Sequence, residues 1–337
     1  MTNNFEIIKQ ENVCLVPVAY NSYLYNFKIG NTLPIYENSV NITDSFVECL
    51  CASLNELNEN TEVVILDFKN IISCNRGIEK LKELPLFNKL FIINVTNDTN
   101  TSVLKRLFDC IPNLKQENLS DNEFVLYVEP HTIRIDSSYI NKIYQKHILT
   151  ILQNNEVMLS KDKVSLFLDS SGIYSNTYLY INKIFYSYDA YMYISYQLAD
   201  RINDNNDFHQ IDALVSTSKT GAIIATIVGK MLNKKTIHFL EVGPKFQCLK
   251  EQSIDKIRKN KQYYVISDFI CLGTEIRLIN AIINCLGGNL LGGIGVASYV
   301  DLNQEEYEQS ILNSITSLIT ITDYGIEYKI SGEKNKE

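Results

Sequence analysis

Tyr263-Tyr264-Val265-Ile266-Ser267-Asp268-Phe269-Ile270-Cys271-Leu272-Gly273-Thr274-Glu275-Ile276-Arg277 is the stretch that decides the fold. An apolar run meets an acidic residue, passes through a loop of small residues and opens a helix. In chemical terms, a strand delivers one carboxylate to the C-terminal edge of a sheet. The backbone N–H groups that follow face outward at a helix N-terminus. A site built this way suits a sugar phosphate: the carboxylate accepts from ribose hydroxyls, and the N–H groups and helix dipole hold the phosphate.

The elements around that stretch alternate. Val164 to Leu168 reads as a strand, followed by Asp169-Ser170-Ser171-Gly172 and a second strand from Thr177 to Asn182. Asp189 to Ile202 reads as a helix. Asp212 to Val215 is an apolar strand ending in Ser216-Thr217-Ser218-Lys219-Thr220-Gly221, and the nearly all-apolar helix Ala222 to Leu232 comes next. Thr236 to Leu240 is another strand, and a polar excursion runs on to about Lys261. After the opening motif, Ile276, Ile279, Ile283 and Leu286 mark one helix face, Gly287-Gly288 ends that helix, and Leu290 to Tyr299 reads as the final long strand. Strands alternating with helices at this spacing imply a parallel sheet with helices on both faces, and ligands of such sheets bind beyond the carboxyl ends of the strands. The 216–221 and 267–274 loops are therefore expected at one edge, each leading into a helix N-terminus. Lys219 supplies positive charge there. Serine and threonine before a helix also serve simply as caps, so the 216–221 loop has a plain structural reading as well.

The first part of the chain forms its own alternating unit. Strands are expected at Val13 to Val18, Leu24 to Ile29, Glu62 to Phe68, Lys89 to Val95 and Glu123 to Val128. Helices are expected at Asn41 to Leu57, with Ser45 and Glu48 as a capping box, at Arg76 to Leu84 before Pro85, and at Thr101 to Cys110 before Pro112. The arrangement resembles STAS-like domains, small α/β modules used for partner docking or ligand sensing. The segment Ser73-Cys74-Asn75-Arg76-Gly77 stands where that family often carries a phosphorylatable serine. The chain is thus divided into a domain over 1–128, a linker over 129–137, a second domain over 138–330 opened by an amphipathic helix from Tyr139 to Gln153, and a tail over 331–337.

Composition bounds what remains. The 337 residues are 45% hydrophobic and 21% charged, enough for two domains with their own cores. A net charge of −8 argues against nonspecific attraction to nucleic acid or an anionic membrane. No apolar run of transmembrane length and no signal-like segment is read in it. Eight cysteines are scattered without a C-x-x-C pair, as expected of reduced, mostly buried thiols in a cytoplasmic protein. The four histidines, at 131, 147, 209 and 238, lack metal-ligand spacing, and no protein-held metal is expected.

From about 138 to 305, the order, spacing and loop positions resemble type I phosphoribosyltransferases, the orotate phosphoribosyltransferase branch in particular. That branch has an F-x-L-K-S-G segment and a short Y-I-D strand. Leu166-Phe167-Leu168-Asp169-Ser170-Ser171-Gly172 and Tyr178-Leu179-Tyr180-Ile181-Asn182 stand here. The branch's signature for phosphoribosyl pyrophosphate, close to V-D-D-V-I-T-A-G-T-A-I-R, corresponds to Ile266 through Arg277, with Asp268, Gly273, Thr274, Ile276 and Arg277 matching. The resemblance implies a phosphate- and ribose-binding set of Ser267, Asp268, Cys271, Leu272, Gly273 and Thr274. It implies pyrophosphate contacts from Ser216, Thr217, Ser218, Lys219, Thr220 and Gly221, and a mobile hood over 241–260. Asp268 and Lys245 are the residues left to serve catalysis, with Mg2+ entering alongside phosphoribosyl pyrophosphate.

The chain also departs from that pattern. Ser267 replaces the first of two acids that share the ribose hydroxyls, Cys271 replaces a phosphate-binding threonine, and Glu275 adds negative charge beside the cradle. The hood's R-K-x-x-K cluster reads Glu241-Val242-Gly243-Pro244-Lys245, and Ser170 replaces the lysine of F-x-L-K-S-G. Leu302 beside Asp301 stands where an arginine would hold the orotate carboxylate. The reading is a diverged phosphoribosyltransferase fold that binds phosphoribosyl pyrophosphate or a nucleotide and reports it through the N-terminal domain. The alternatives are an active transferase for an acceptor other than orotate, and a scaffold for protein partners. The resemblance also implies a homodimer, for which helices 189–199 and 222–232 offer apolar and tyrosine-rich surface.

Overall fold

The computed structural model describes residues 5–31, 33–38, 40–57, 60–95, 102–111, 113–119, 124–129, 135–160, 167–168, 174–175, 177–205, 207–239, 255–271, 273–299, 314–322 and 325–328. The chain divides into two compact units, Met1–His147 and Ile148–Glu337.

The first unit is built on a six-stranded sheet in the order Ile8–Gln10, Val13–Pro17, Val63–Asp67, Leu90–Ile93, Phe124–Tyr127, Lys115–Asn118. The three strands Val13–Pro17, Val63–Asp67 and Leu90–Ile93 run parallel, and the flanking ones are antiparallel. Val63–Asp67 is buried throughout, as its apolar run Val63 to Leu66 requires, and Asp67 at its end is buried too. One face packs Phe46, Val47, Leu50 and Leu54 of the helix Asp44–Asn55 against the sheet. The other packs Ile140 and Ile143 of the helix Ser137–Asn154 against Val13, Leu15 and Ile65.

Four local expectations change. Residues 24–28 belong to a helix, Val18–Lys28, and are not in a strand. Tyr20, Tyr23 and Leu24 recur at helical spacing and are all buried. The cap of Asp44–Asn55 is Thr43, whose hydroxyl accepts from the Phe46 N–H at 3.3 Å. Asp44 is drawn away to accept from the Gly77 N–H at 2.8 Å, and Glu48 pairs with Lys80. Arg76–Glu83 is a 3-10 helix. The helix expected to open the second domain, Ser137–Asn154, lends its first half to the core of the first unit, and the division between the units falls within it.

The second unit holds another six-stranded sheet, in the order Lys235–His238, Ala213–Ser216, Gln262–Ile270, Asn289–Tyr299, Ile315–Thr322, Gly325–Tyr328. The first five strands are parallel and the last is antiparallel. Asn289–Tyr299 is therefore an inner strand with two more beyond it, and not the final strand of the unit. Its glycines permit that pairing: a Cβ at Gly292 would lie 2.5 Å from the Ser314 carbonyl oxygen. Tyr263, Val265, Ile276, Ile279, Ile283 and Leu290 join one core on this sheet. Phe167–Leu168 is the described part of the first strand expected before it; the second, expected over Thr177–Asn182, is a strand only over Thr177–Leu179 and passes into a 3-10 turn, Ile181–Tyr186. No helix among the described residues is long and apolar enough to cross a membrane.

Candidate functional site

Parallel pairing places Ser216 level with Ile266 on one side and His238 on the other. The carboxyl ends of three neighbouring strands thus share one edge, and the 216–221 loop lies beside Asp268. Ser218 has extended backbone (φ −127°, ψ 165°) and caps the helix Lys219–Met231, its Oγ accepting from the Gly221 N–H at 2.8 Å. The same hydroxyl donates its proton to Asp268 Oδ1 at 2.8 Å. Gly221 permits this approach. A Cβ there would stand 2.8 Å from Ser218 Oγ and 3.4 Å from the Ile266 carbonyl oxygen, so the first turn of the helix rests directly on the strand.

Asp268 is half-buried and Ser267 is 2% exposed. The Ser267 hydroxyl donates to the Phe269 carbonyl oxygen at 3.1 Å. The strand Gln262–Ile270 does not stop at the acid: Phe269 pairs with Ala297 and Ile270 with Ser298. Gly273 then turns into the left-handed region (φ 66°) as the cap of the helix Thr274–Cys285, a conformation a side chain would strain. Cys271 is half-buried, Thr274 exposed, and Glu275 sits in the first helical turn, where a carboxylate complements the dipole.

Ser216 is fully buried, and its hydroxyl lies 2.8 Å from His238 Nδ1. Thr226 Oγ1 donates to the Ala222 carbonyl oxygen at 2.8 Å, so its contact with His238 Nε2 at 3.3 Å has the imidazole as donor. That assigns the proton to Nε2 and makes Nδ1 the acceptor of the Ser216 hydroxyl. Burial, with the Lys256 charge adding to it, holds the His238 pKa below its ordinary value, which favours this neutral ring. Thr217, next in the chain, is 2% exposed, and its Oγ1 has no hydrogen-bond partner among the described residues. Lys219 and Thr220 open the helix, with Lys219 exposed.

Of the residues expected to form a site, Ser216 through Gly221 and Ser267, Asp268, Cys271, Gly273 and Thr274 gather at or near this edge. Leu272 and Lys245 lie outside the described residues, as do Ser170 and Leu302. His238 joins the edge without having been expected. It and Ser216 are 22 residues apart, and only the strand pairing brings them level.

Over 164 residues the chain is 29% identical to an orotate phosphoribosyltransferase of a Thermoanaerobacter species, a match that covers 46% of this chain and 77% of that protein. It has a type I phosphoribosyltransferase-like fold over about half its length. No protein-family model matches. Among solved structures, the orotate phosphoribosyltransferase of Aeropyrum pernix aligns with a TM-score of 0.39 at 15% identity, covering 52% of this chain and 93% of that one. The UMP synthase of Leishmania donovani aligns with a TM-score of 0.39 at 10% identity, covering 82% and 54%.

The phosphoribosyltransferase-like edge brings together the Asp268 carboxylate, several hydroxyls and the N-terminus of a thirteen-residue helix that opens with Lys219. These groups suit a ligand with both an anionic end and hydroxyls. Among the described residues no three His, Cys, Asp or Glu side chains group to hold a metal ion.

Proposed function

We propose that this chain is a diverged phosphoribosyltransferase-like protein that binds phosphoribosyl pyrophosphate or a nucleotide, with weak or no transfer activity. The observation that carries the reading is the state of the two positions at the strand end. Asp268 stands there as an acid, while Ser267 is buried and gives its proton to the Phe269 carbonyl. A ribose would thus find one carboxylate, enough for recognition. The helix N-terminus at Ser218 supplies neutral donors for a phosphate, and Lys219 in its first turn supplies one positive charge. Neutral donors and a single lysine bind an anion but compensate poorly for the charge that builds up on a departing pyrophosphate.

The donor set fits magnesium only in a limited sense. Magnesium typically uses one or two protein carboxylates and completes its shell with phosphates and water. Asp268 is the acid on the strand among the described residues, with Glu275 in the first turn of the following helix, so the ion would arrive with the ligand's phosphates. When bound, it would supply charge neutralisation there.

In this reading the first unit is a STAS-like module that passes on occupancy of the site to a protein partner, and the protein works as a homodimer. Tyr193 and Tyr196, on the helix expected as interface material, are buried, and Tyr186 and Tyr188 just before its first buried turn are exposed. Light scattering at micromolar concentration tests the dimer.

The identity to an orotate phosphoribosyltransferase favours a second reading, an active transferase for another acceptor. Calorimetric titration with phosphoribosyl pyrophosphate and a nucleotide panel, with and without Mg2+, tests the main reading when paired with an assay for released pyrophosphate. Binding without release supports it. Turnover supports the transferase, and no binding leaves the scaffold.

A further inference from the structure

We propose that His238 is a positioning residue for the anion end of this site, fastening the helix Lys219–Met231 to the sheet so that its N-terminal N–H groups stay aimed at the edge where Asp268 stands. This deepens the ribose-phosphate reading above and rests on it.

The helix packs on three neighbouring strands, Lys235–His238, Ala213–Ser216 and Gln262–Ile270, of which Ala213–Ser216 lies between the other two. On the side of Gln262–Ile270 it is tied by its cap, since Ser218 donates to Asp268 Oδ1 at 2.8 Å. The opposite side is tied through His238, the last residue of the strand Lys235–His238. Its Nδ1 accepts from the Ser216 hydroxyl at 2.8 Å, and its Nε2–H donates to Thr226 Oγ1 at 3.3 Å. Ser216 ends the strand that enters the 217–221 loop, and Thr226 lies about two turns into the helix that leaves it. One imidazole therefore bridges the two ends of the loop, and the helix is fastened to the strands on both sides of Ala213–Ser216.

The bridge needs one acceptor and one donor on the same side chain. Thr226 gives its own proton to the Ala222 carbonyl oxygen, so it meets the ring as an acceptor, and the fully buried Ser216 meets it as a donor. A neutral imidazole supplies that pair, and so does a side-chain amide, whereas an alkyl group supplies neither. A helix N-terminus holds an anion through N–H groups that point along its axis, so the grip depends on how firmly the axis is held. In this role His238 acts through Ser216 and Thr226 and need not meet the ligand.

The test is calorimetric titration of the full chain with inorganic pyrophosphate at about pH 8, where the ring is neutral. The forms compared are the unmodified protein, His238→Ala, His238→Gln, Thr226→Val and the double variant His238→Ala with Thr226→Val. His238→Ala should weaken binding about fivefold, the scale of one neutral hydrogen bond, and His238→Gln should stay within about twofold of the unmodified protein. Thr226→Val, at an exposed position, cuts only the helix end of the bridge; it should weaken binding about threefold, and it decides the matter if His238→Ala folds poorly. Added to His238→Ala it should cost nothing further, because both changes act on one bridge. Nitrogen NMR of the ring should show the proton on Nε2 with and without pyrophosphate. Unchanged affinity in Thr226→Val and His238→Ala, losses that simply add, or a loss in His238→Gln as deep as in His238→Ala overturns the proposal. So does a change in ring protonation when pyrophosphate is added, which would make His238 a ligand contact. If pyrophosphate binds no form, this inference falls, and the ribose-phosphate reading falls with it only if phosphoribosyl pyrophosphate and the nucleotides fail to bind as well.

Discussion

Ser218 Oγ lies 2.8 Å from Asp268 Oδ1, although fifty residues separate the two in the chain. One hydroxyl thus caps a helix with its lone pair and holds the acid of the neighbouring strand with its proton. Helix start and strand acid are positioned together, and a change at either one reaches the other.

Asp268→Asn separates charge from shape. The amide oxygen can still accept the Ser218 proton, so the thermal midpoint should move little. Binding of phosphoribosyl pyrophosphate with Mg2+ should weaken by about tenfold or more, the scale of a lost charged hydrogen bond, and by more than that of a metal-free nucleotide. Titration of both ligands against this variant checks it. Equal weakening would argue against any part for the metal.

Gly221→Ala should act through Ser218. The new Cβ would meet Ser218 Oγ at 2.8 Å, so the hydroxyl must rotate and the cap bond is lost. The expected cost is about 1 kcal/mol, typical of a missing N-cap. Urea unfolding gives the stability change. Amide exchange at residue 221 should speed up, and an unchanged exchange rate would contradict the coupling.

Ser267→Asp restores the second acid of the family pattern, and sequence comparison alone would ask it to improve ribose binding. The structure gives the opposite expectation. Position 267 is 2% exposed, and its side chain faces the Phe269 carbonyl oxygen. A carboxylate there would be desolvated and set against an acceptor, so a loss of roughly 2–4 kcal/mol is expected. Chemical unfolding measures it. A gain in affinity for phosphoribosyl pyrophosphate at unchanged stability would show that the side chain turns outward.

The 263–277 stretch was legible because a buried parallel strand, a small-residue loop and an amphipathic helix each leave a strong local pattern. Val18–Lys28 was not, because its tyrosines and Phe27 look extended in a short window, and the i, i+3, i+4 burial appears only over the whole helix. Ile315–Thr322 left a readable sign in its β-branched run, whereas Gly325–Tyr328, with Ile326 as its one β-branched residue, left little. The meeting of Ser218 with Asp268 follows from placing both loops at one edge, but the hydrogen bond depends on Gly221 having no side chain. The link from Ser216 to His238 had no local signal, since strand register alone creates it.

His238 makes stability depend on pH with a defined sign. Its folded pKa lies below the ordinary 6.5, chiefly through burial and further through Lys256. Above that value the ring is neutral in both folded and unfolded chains, and its favourable contribution is fully present. As pH falls below about 6.5 the unfolded chain takes up a proton that the folded one resists, and the contribution is lost towards the lower folded pKa. Urea midpoints across this range should fall more steeply for the unmodified protein than for His238→Gln. Parallel curves would mean that the ring titrates normally.

The continuation of Gln262–Ile270 beyond its acid has a consequence for the cost of recognition. Ser267 and Phe269, on either side of Asp268, are both paired into the neighbouring strand, opposite Gly295 and Ala297. A carboxylate on a loop must be immobilised when its ligand arrives, at about 1–2 kcal/mol per ordered residue. Asp268 is held between two paired rungs of the sheet before any ligand is present, so that entropy is lost during folding and not at the moment of binding. The acid becomes a fixed reference point, and a sugar phosphate must conform to it.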